Sequence, residues 1–297
     1  ARTNFTVLIQ GESGSGKSFV AKIIHNYSLG NKGPFVSVDC GAIPETLIES
    51  ELFGYEKGSF TGAGQQKKGY FESANGGTIF LDDIENLPFH LQSKLLKIVH
   101  DKRMQRIGST KSIPLDVRLI AAANIPLEKL IKSGKFRSDL YFRLNEFGLF
   151  IPPLRERKED IMYLATIFLN MASRELGKKI SGFSPEAEAV IKSHYWPGNV
   201  RELKNIVRRA ALMCEDEILP EYLILDKFDS ENKESLPDVK FDGNISETKS
   251  LKDIFSELER DIILKTLQKT KWNRKKAAEI LKIDYKTIIY KIKNYNL

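Results

Sequence analysis

Long hydrophobic runs are missing from this 297-residue sequence. No apolar stretch approaches the roughly 20 residues that a membrane helix needs. No signal peptide precedes the first apolar strand, so a cytoplasmic protein is expected and a membrane or exported one is not. Cysteine is nearly absent: Cys40 and Cys214 stand alone, without the spacing of a metal-ligand set. Each is expected to be a reduced thiol buried for structure rather than for reactivity. No internal repeat is found, so a repeat architecture is not expected.

What is present is the composition of a soluble globular protein, 41% hydrophobic and 29% charged, long enough for about two domains. The net charge of +7 is unevenly spread. From Leu251 to Leu297, ten Lys and two Arg stand against six acids, a net of +6, whereas Asp226–Ser250 has four Lys against seven acids, a net of −3. A basic C-terminal end suits a polyanion such as DNA; a solvated basic face is the alternative.

The densest local pattern is Gly11-Glu12-Ser13-Gly14-Ser15-Gly16-Lys17-Ser18, behind the apolar run Thr6-Val7-Leu8-Ile9. It satisfies G-x-x-x-x-G-K-[ST] at every fixed position. Phe19, Val20, Ile23 and Ile24 then recur at helical spacing, so strand, glycine loop and helix follow in order. Glycines let backbone N–H groups and the helix N-terminus turn toward a phosphate chain. Lys17 reaches the outer phosphates in this reading, and the Ser18 hydroxyl suits magnesium. A flexible glycine-serine turn is the bland alternative.

The segment Ala1–Phe5 is a bare lead-in, which reads as the edge of a fragment whose N-terminal neighbour is missing. A second strand is expected at Pro34–Val38, ending in Asp39-Cys40, and a helix from Pro44 to Leu52. The glycine-rich stretch Phe53–Gly64 places Phe60 in a loop, either as an exposed tip for a partner or tucked inward. Gly76–Asp83 is a buried strand closing on two acids, where a nucleotide-binding parallel sheet gathers its ligands. Asp82 is placed to hold magnesium and Asp83 to orient or deprotonate the attacking water; capping of the next helix is the alternative.

A long amphipathic helix should carry Leu91, Leu95, Leu96, Ile98 and Val99. The strand Asp116–Ala123 ends in Asn124, a candidate for bonding phosphate or water, or a simple turn residue. Arg137 and Arg143 lie six apart on an expected helix. At a subunit edge such arginines neutralise transition-state charge, worth roughly 10³–10⁵ in rate; otherwise they are surface residues.

After Pro152-Pro153 the pattern is helical to about Leu225. Ile161, Leu164, Ile167, Phe168 and Met171 are expected inward, Ser184-Pro185 as cap and first-turn proline, and Arg201 near a helix start, reaching back to phosphate. Asp226–Ser250 reads as a linker. Leu251–Gln268 has an apolar stripe of Ile254, Leu258, Ile262, Ile263 and Leu267. Asn273 and Asp284 are expected to cap two short helices, with Ile288 and Ile292 inward and Lys286, Tyr290, Lys291 and Lys293 outward. This is a helix-turn-helix pattern with a basic second helix for the major groove; a small protein-binding bundle is the alternative.

These motifs in this order resemble the bacterial enhancer-binding activators of sigma-54 RNA polymerase, AAA+ ATPases with a Fis-type helix-turn-helix. Gly58-Ser59-Phe60-Thr61-Gly62-Ala63 looks like the family's GAFTGA loop, with Ser59 for the usual alanine. The resemblance implies that this loop contacts sigma-54, that Asp82-Asp83 are the Walker B acids, and that Asn124 and Arg201 are the two sensors. It implies that Arg137 and Arg143 are arginine fingers of a hexameric ring, and that ATP and Mg2+ are bound. For DNA it points to Arg274, Tyr285, Lys286, Tyr290 and Lys291.

The sequence departs from the family pattern in several places. Ser18 replaces Glu. Asp83 replaces the usual Glu and is one methylene shorter, so slow hydrolysis is expected. Asp39 stands where Asn is common, setting two acids in opposition. Lys282 replaces a turn glycine, and the segment that helps hold adenine is absent upstream.

The expected architecture is an α/β AAA+ parallel sheet with helices on both faces (1–155, N-terminally truncated), a helical lid (156–225), a linker (226–250) and an all-α helix-turn-helix domain (251–297). The expected function is ATP-driven remodelling of the sigma-54 RNA polymerase closed complex from upstream double-stranded DNA sites. Any receiver or ligand-sensing domain would lie ahead of Ala1. The alternatives are a DNA-bound regulator that senses nucleotide without turnover, and an AAA+ machine with another target.

Overall fold

The computed structural model of the chain describes residues 5–28, 33–225, 251–270, 272–281 and 283–295. The expectations for the lead-in residues 1–4, for the linker Asp226–Ser250, for the turn position Lys282 and for the side chains of Ile254 and Leu258 lie outside the described residues. The chain divides into two compact units, Ala1–Ile224 and Leu225–Leu297.

The first unit is organised by β1 (Val7–Gln10), one residue later than the apolar run suggested. With β2 (Phe35–Asp39), β3 (Thr78–Asp82), a short antiparallel pair β4 (Arg103–Met104) and β5 (Ile113–Pro114), then β6 (Arg118–Ala123) and β7 (Phe147–Phe150), it accounts for the strands of the α/β part. The central sheet is parallel, in the order β2-β3-β6-β1-β7. Its inner strands β1, β3 and β6 are apolar almost throughout, as burial on both faces requires.

Strand alternation sets the layers. On one face Leu8, Ile79, Leu81, Leu119 and Ala121 join the larger core. That core is completed by α2 (Glu45–Phe53), α3 (Tyr70–Ser73), α4 (Phe89–Asp101), α5 (Leu127–Lys132) and α6 (Ser138–Leu144). On the other face Val7, Ile9, Phe80, Ile120 and Ala122 meet Val20, Ala21 and Ile24 of α1 (Lys17–Asn26). Full burial of each large aliphatic side chain contributes about 1.5–3 kcal/mol. Two of the four periodic apolar residues of α1, Phe19 and Ile23, are exposed, because only one stripe of the helix faces the sheet. In α4 the expected residues do face the core, with Leu96 half-buried.

The helical part contains α7 (Lys158–Leu176), β8 (Gly182–Phe183), α8 (Pro185–Ser193), α9 (Asn199–Met213) and β9 (Glu217–Ile218). Its packing face on α7 is Ile161, Ala165, Leu169 and Ala172. Leu164, Ile167 and Phe168 are half-buried, and the expected inward Met171 is 54% exposed, so the buried stripe is narrower than predicted and shifted toward small residues. Ser184 caps α8 through a bond from the Ala187 N–H at 3.2 Å, with Pro185 in the first turn.

The second unit packs α10 (Leu251–Lys269), α11 (Arg274–Ile280) and α12 (Tyr285–Asn294). Ile263, Leu267, Ala277, Ala278, Ile288 and Ile292 form its core. Asn273 caps α11 by accepting from the Lys276 N–H at 3.2 Å. Asp284 occupies the N-cap position of α12 without a side-chain capping bond.

Candidate functional site

The phosphate loop leaves β1 at its carboxyl end and enters α1 at Lys17. Gly16 takes φ 107°, a conformation that a side chain would strain. Gly14, at φ 76°, lies so close to the lid that an added Cβ would sit 2.4 Å from the Gly198 carbonyl oxygen. Lys17 is buried, and its Nζ donates to the carbonyls of Gly11 (2.9 Å) and Glu12 (3.1 Å) and to Asn124 Oδ1 (2.6 Å). Burial lowers its pKa, opposed by the charges of Asp82, Asp83 and Glu85.

The acids lie where β3 ends. Ser18 Oγ donates to Asp82 Oδ2 at 3.0 Å, joining the two side chains that the sequence assigned to magnesium. Asp83 follows in the left-handed region at φ 53°, and its Oδ1 accepts from Asn124 Nδ2 at 2.5 Å. Asn124 therefore spans Lys17 and Asp83, beyond what a simple turn residue would do. Burial raises the Asp83 pKa, Asp82 adds to this, Asn124 opposes it, and Asp39 adds less. The expected opposition of Asp39 and Asp83 is thus present but subordinate. Asp39 Oδ1 is engaged by the N–H groups of Gly41 (2.9 Å) and Ala42 (3.2 Å).

The lid closes over the loop. Arg201 donates to Ser13 Oγ at 3.2 Å, while the N–H groups of Val200 (3.0 Å) and Arg201 (3.3 Å) donate to the Gly14 carbonyl. Three residues here escaped the sequence reading. Arg155 grips Glu12 with two bonds of 2.7 and 2.5 Å. Buried Asn199 donates to Glu12 Oε2 and to the Ser13 carbonyl, both at 3.1 Å, and accepts from the Leu154 N–H at 2.8 Å. Glu85 accepts from the Asn124 N–H at 2.9 Å. Only an acid placed shortly after Asp82-Asp83 hinted at the last; nothing in sequence spacing pointed to the other two.

Arg137 and Arg143 do not join this cluster. Arg137 is the N-cap of α6 rather than a residue within it and pairs with Asp139, while Arg143, inside α6, pairs with Glu146, both at 2.7 Å. In the loop Gly58–Ala63, the Gly58 N–H donates to the Ala63 carbonyl at 2.8 Å, Ala63 is buried, and Thr61 is exposed. Phe60 is 45% exposed and rests edge-on against Tyr55 at 5.0 Å between ring centroids, between the two predicted extremes. Gly62 bends the tip at φ 106°. Arg106 anchors the loop's base, bridging Glu56 and Glu72 at 2.8 and 2.7 Å.

On the second unit Arg274, Tyr285, Lys286 and Tyr290 are exposed, Tyr290 at 70%. Lys291 is different: its ammonium bonds Glu259 Oε1 of α10 at 2.5 Å, and Tyr295 donates to the other oxygen at 2.6 Å. The inward pull of that carboxylate turns Lys291 from the outward position expected. Both cysteines are buried, and burial pushes the Cys40 thiol up to about 12.

Fold and site together define a class: a phosphate-loop α/β domain with acids at a strand end, a lid seated on the loop, and a separate helix-turn-helix unit. Family models match in the same order: the sigma-54 interaction domain over residues 1–150, the AAA+ ATPase lid domain over 155–238, and the bacterial regulatory protein, Fis family, over 254–295. The chain belongs to the family of sigma-54-dependent AAA+ regulators with a Fis-type helix-turn-helix. It is 40% identical over 298 residues to the response regulator protein PilR of Pseudomonas aeruginosa, covering all of this chain and 66% of that protein. Against the regulatory protein AtoC of Escherichia coli the identity is 40% over 302 residues, covering all of this chain and 64% of that protein. Crystal structures of NtrX from Brucella abortus with ADP and with ATP superpose with TM-scores of 0.68 and 0.67 at 30% identity, covering 99% of this chain and 65% and 64% of those chains. The chain thus spans about two thirds of the length of these relatives. Among the described residues no helix is long and apolar enough to cross a membrane.

Proposed function

We propose that the chain is the ATP-hydrolysing and DNA-binding part of a cytoplasmic sigma-54-dependent transcriptional activator. The observation that carries this reading is the linked set Lys17–Asn124–Asp83 beside Ser18–Asp82, at the carboxyl end of a parallel sheet. Solved relatives were crystallised with ATP and ADP.

A magnesium ion fits the paired Ser18 hydroxyl and Asp82 carboxylate, since such ions take one or two protein oxygens and complete their shell with phosphates and water. When bound, it neutralises charge on the phosphates. Lys17 and the loop N–H groups of Gly14, Ser15 and Gly16 hold the phosphate chain, and Arg201 approaches from the lid. Asp83 takes a proton from the attacking water, oriented by the Asn124 amide. Its side chain is one methylene shorter than glutamate, and hydrolysis is correspondingly slow.

Arg137 and Arg143 serve a neighbouring protomer of a hexameric ring. Their partly exposed ion pairs to Asp139 and Glu146 are weak enough to exchange for phosphate contacts. Turnover moves the loop Gly58-Ser59-Phe60-Thr61-Gly62-Ala63 against sigma-54 in the RNA polymerase holoenzyme and remodels the closed complex. The second unit places α12 in the major groove of upstream double-stranded DNA, with Arg274, Tyr285, Lys286 and Tyr290 toward the duplex. Measured ATP turnover should be abolished by Lys17→Ala and strongly reduced by Arg143→Ala; full activity in both variants would refute the reading. DNA binding without any turnover at high ATP would select a nucleotide-sensing regulator instead.

A further inference from the structure

Neither the phosphate-loop motif nor the likeness to the family assigns any role to Glu85. It lies in the 3-10 turn Ile84–Asn86, immediately after the left-handed Asp83. Its Oε1 accepts the Asn124 N–H at 2.9 Å, and its Oε2 is buried with no hydrogen-bond partner. A carboxylate with one buried oxygen left unbonded is costly to keep, and the bond made by the other oxygen is the contact that sets it against Asn124.

Asn124 is the first residue past β6, where the ladder with β1 has ended at Ala123. Its backbone N–H is bonded by the Glu85 side chain and not by a strand. Beyond that anchor, the side-chain amide has a fixed polarity: oxygen on the Lys17 ammonium at 2.6 Å, nitrogen on the Asp83 carboxylate at 2.5 Å. Turning the Ala123–Asn124 peptide would break both contacts at once.

We propose that Glu85 is a positioning residue for phosphate cleavage: through the Asn124 backbone it holds the amide that links Lys17 to Asp83. The assignment rests on the proposed ATPase reading. Glu85 itself does not touch the water or phosphate, since Oε2 is shut off from solvent and Oε1 is occupied. Its contribution is geometric, and displacement of a catalytic group by an ångström can cost about 100-fold in rate.

Three substitutions separate reach from charge. Glu85→Gln keeps an oxygen at the right length without the charge. Glu85→Asp keeps the charge but falls one methylene short of the Asn124 N–H. Glu85→Ala loses both. The full chain is assayed for kcat and KM with ATP, for affinity with a fluorescent ADP analogue, and for its unfolding temperature.

The expected result is a fall in kcat of about tenfold or more for Glu85→Ala and Glu85→Asp. Glu85→Gln should stay within about threefold of the wild type, and KM and ADP affinity should change less than about twofold throughout. If Glu85→Ala proves too unstable to assay, the opposite behaviour of Glu85→Asp and Glu85→Gln still decides the matter. Equal loss in Glu85→Gln and Glu85→Asp would overturn the assignment, as would loss confined to KM. A wild-type chain without hydrolysis removes the ATPase reading itself, whereas an active wild type with an equally active Glu85→Ala removes only the role of Glu85.

Discussion

Ser59 stands at a position usually held by alanine in the resembling loop, and its hydroxyl is buried without a partner. Its Cβ lies against Gly108, where a side chain would come within 2.6 Å of it. A buried hydroxyl without a bond costs about 1–3 kcal/mol, and a half-buried residue such as this one sits at the low end. Ser59→Ala is therefore expected to raise the unfolding temperature of the first unit, by about 2–4 °C. A lowered melting temperature would show that the hydroxyl does have a bonding role. At Asp83 the backbone is left-handed and the short carboxylate is bonded by the Asn124 amide.

The elements that meet at the phosphate loop come from distant parts of the chain. Glu12, Arg155 and Asn199 tie β1's loop to the connector after β7 and to the start of α9. The bonds from Arg155 hold the Glu12 pKa below the ordinary carboxylate range. A depressed acid stabilises the fold above its unfolded pKa, and the gain is lost as pH falls through the folded value. Glu12→Gln should thus lower stability at pH 7 by about 1 kcal/mol, discounted for partial exposure, with the gap to the wild type closing below about pH 4. Thermal melts across that range read it directly, and a gap independent of pH would count against an ionic clasp.

Within the helix-turn-helix, Lys286 and Lys291 should behave differently. Lys286→Ala is expected to weaken DNA binding and to reduce the salt slope of log K by about one. Lys291→Ala should chiefly destabilise the unit by stranding Glu259. Titrations of duplex DNA at two salt concentrations, with melts of both variants, distinguish the two; equal salt effects would contradict the assignment.

At the scale of the whole molecule, the arginines matter most. Arg137 and Arg143 carry no bond to the phosphate loop of their own chain and are held by Asp139 and Glu146 instead. The proposed completion of the site by a neighbour has a simple consequence. Lys17→Ala, inactive alone, and Arg143→Ala, strongly impaired alone, should gain ATPase activity when mixed, because some interfaces then join an intact loop to an intact arginine. No recovery in co-assembled protein would place Arg143's function within its own subunit. Charge acts at the same scale: the +6 of residues 251–297 lies in the unit with the helix-turn-helix, the sign that the proposed binding of duplex DNA calls for.

The sequence by itself determined the phosphate loop, the strand-end acids, the apolar inner strands and the three-helix pattern at the C-terminus. All of these are written in local spacing: a glycine motif after a strand, an acid pair after an apolar run, a stripe along a helix. Asp82 beside Ser18 was legible for that reason. The tertiary structure decided what depends on contacts across more than a hundred residues, such as Arg155 with Glu12, Asn199 with Ser13, and Lys17 with Asn124. It also decided direction where a stripe was ambiguous, exposing Phe19 and Met171 and turning Lys291 toward Glu259. Periodicity specifies that a helix has a face, but only the partner packed against it fixes how wide that face is and which charge it draws inward.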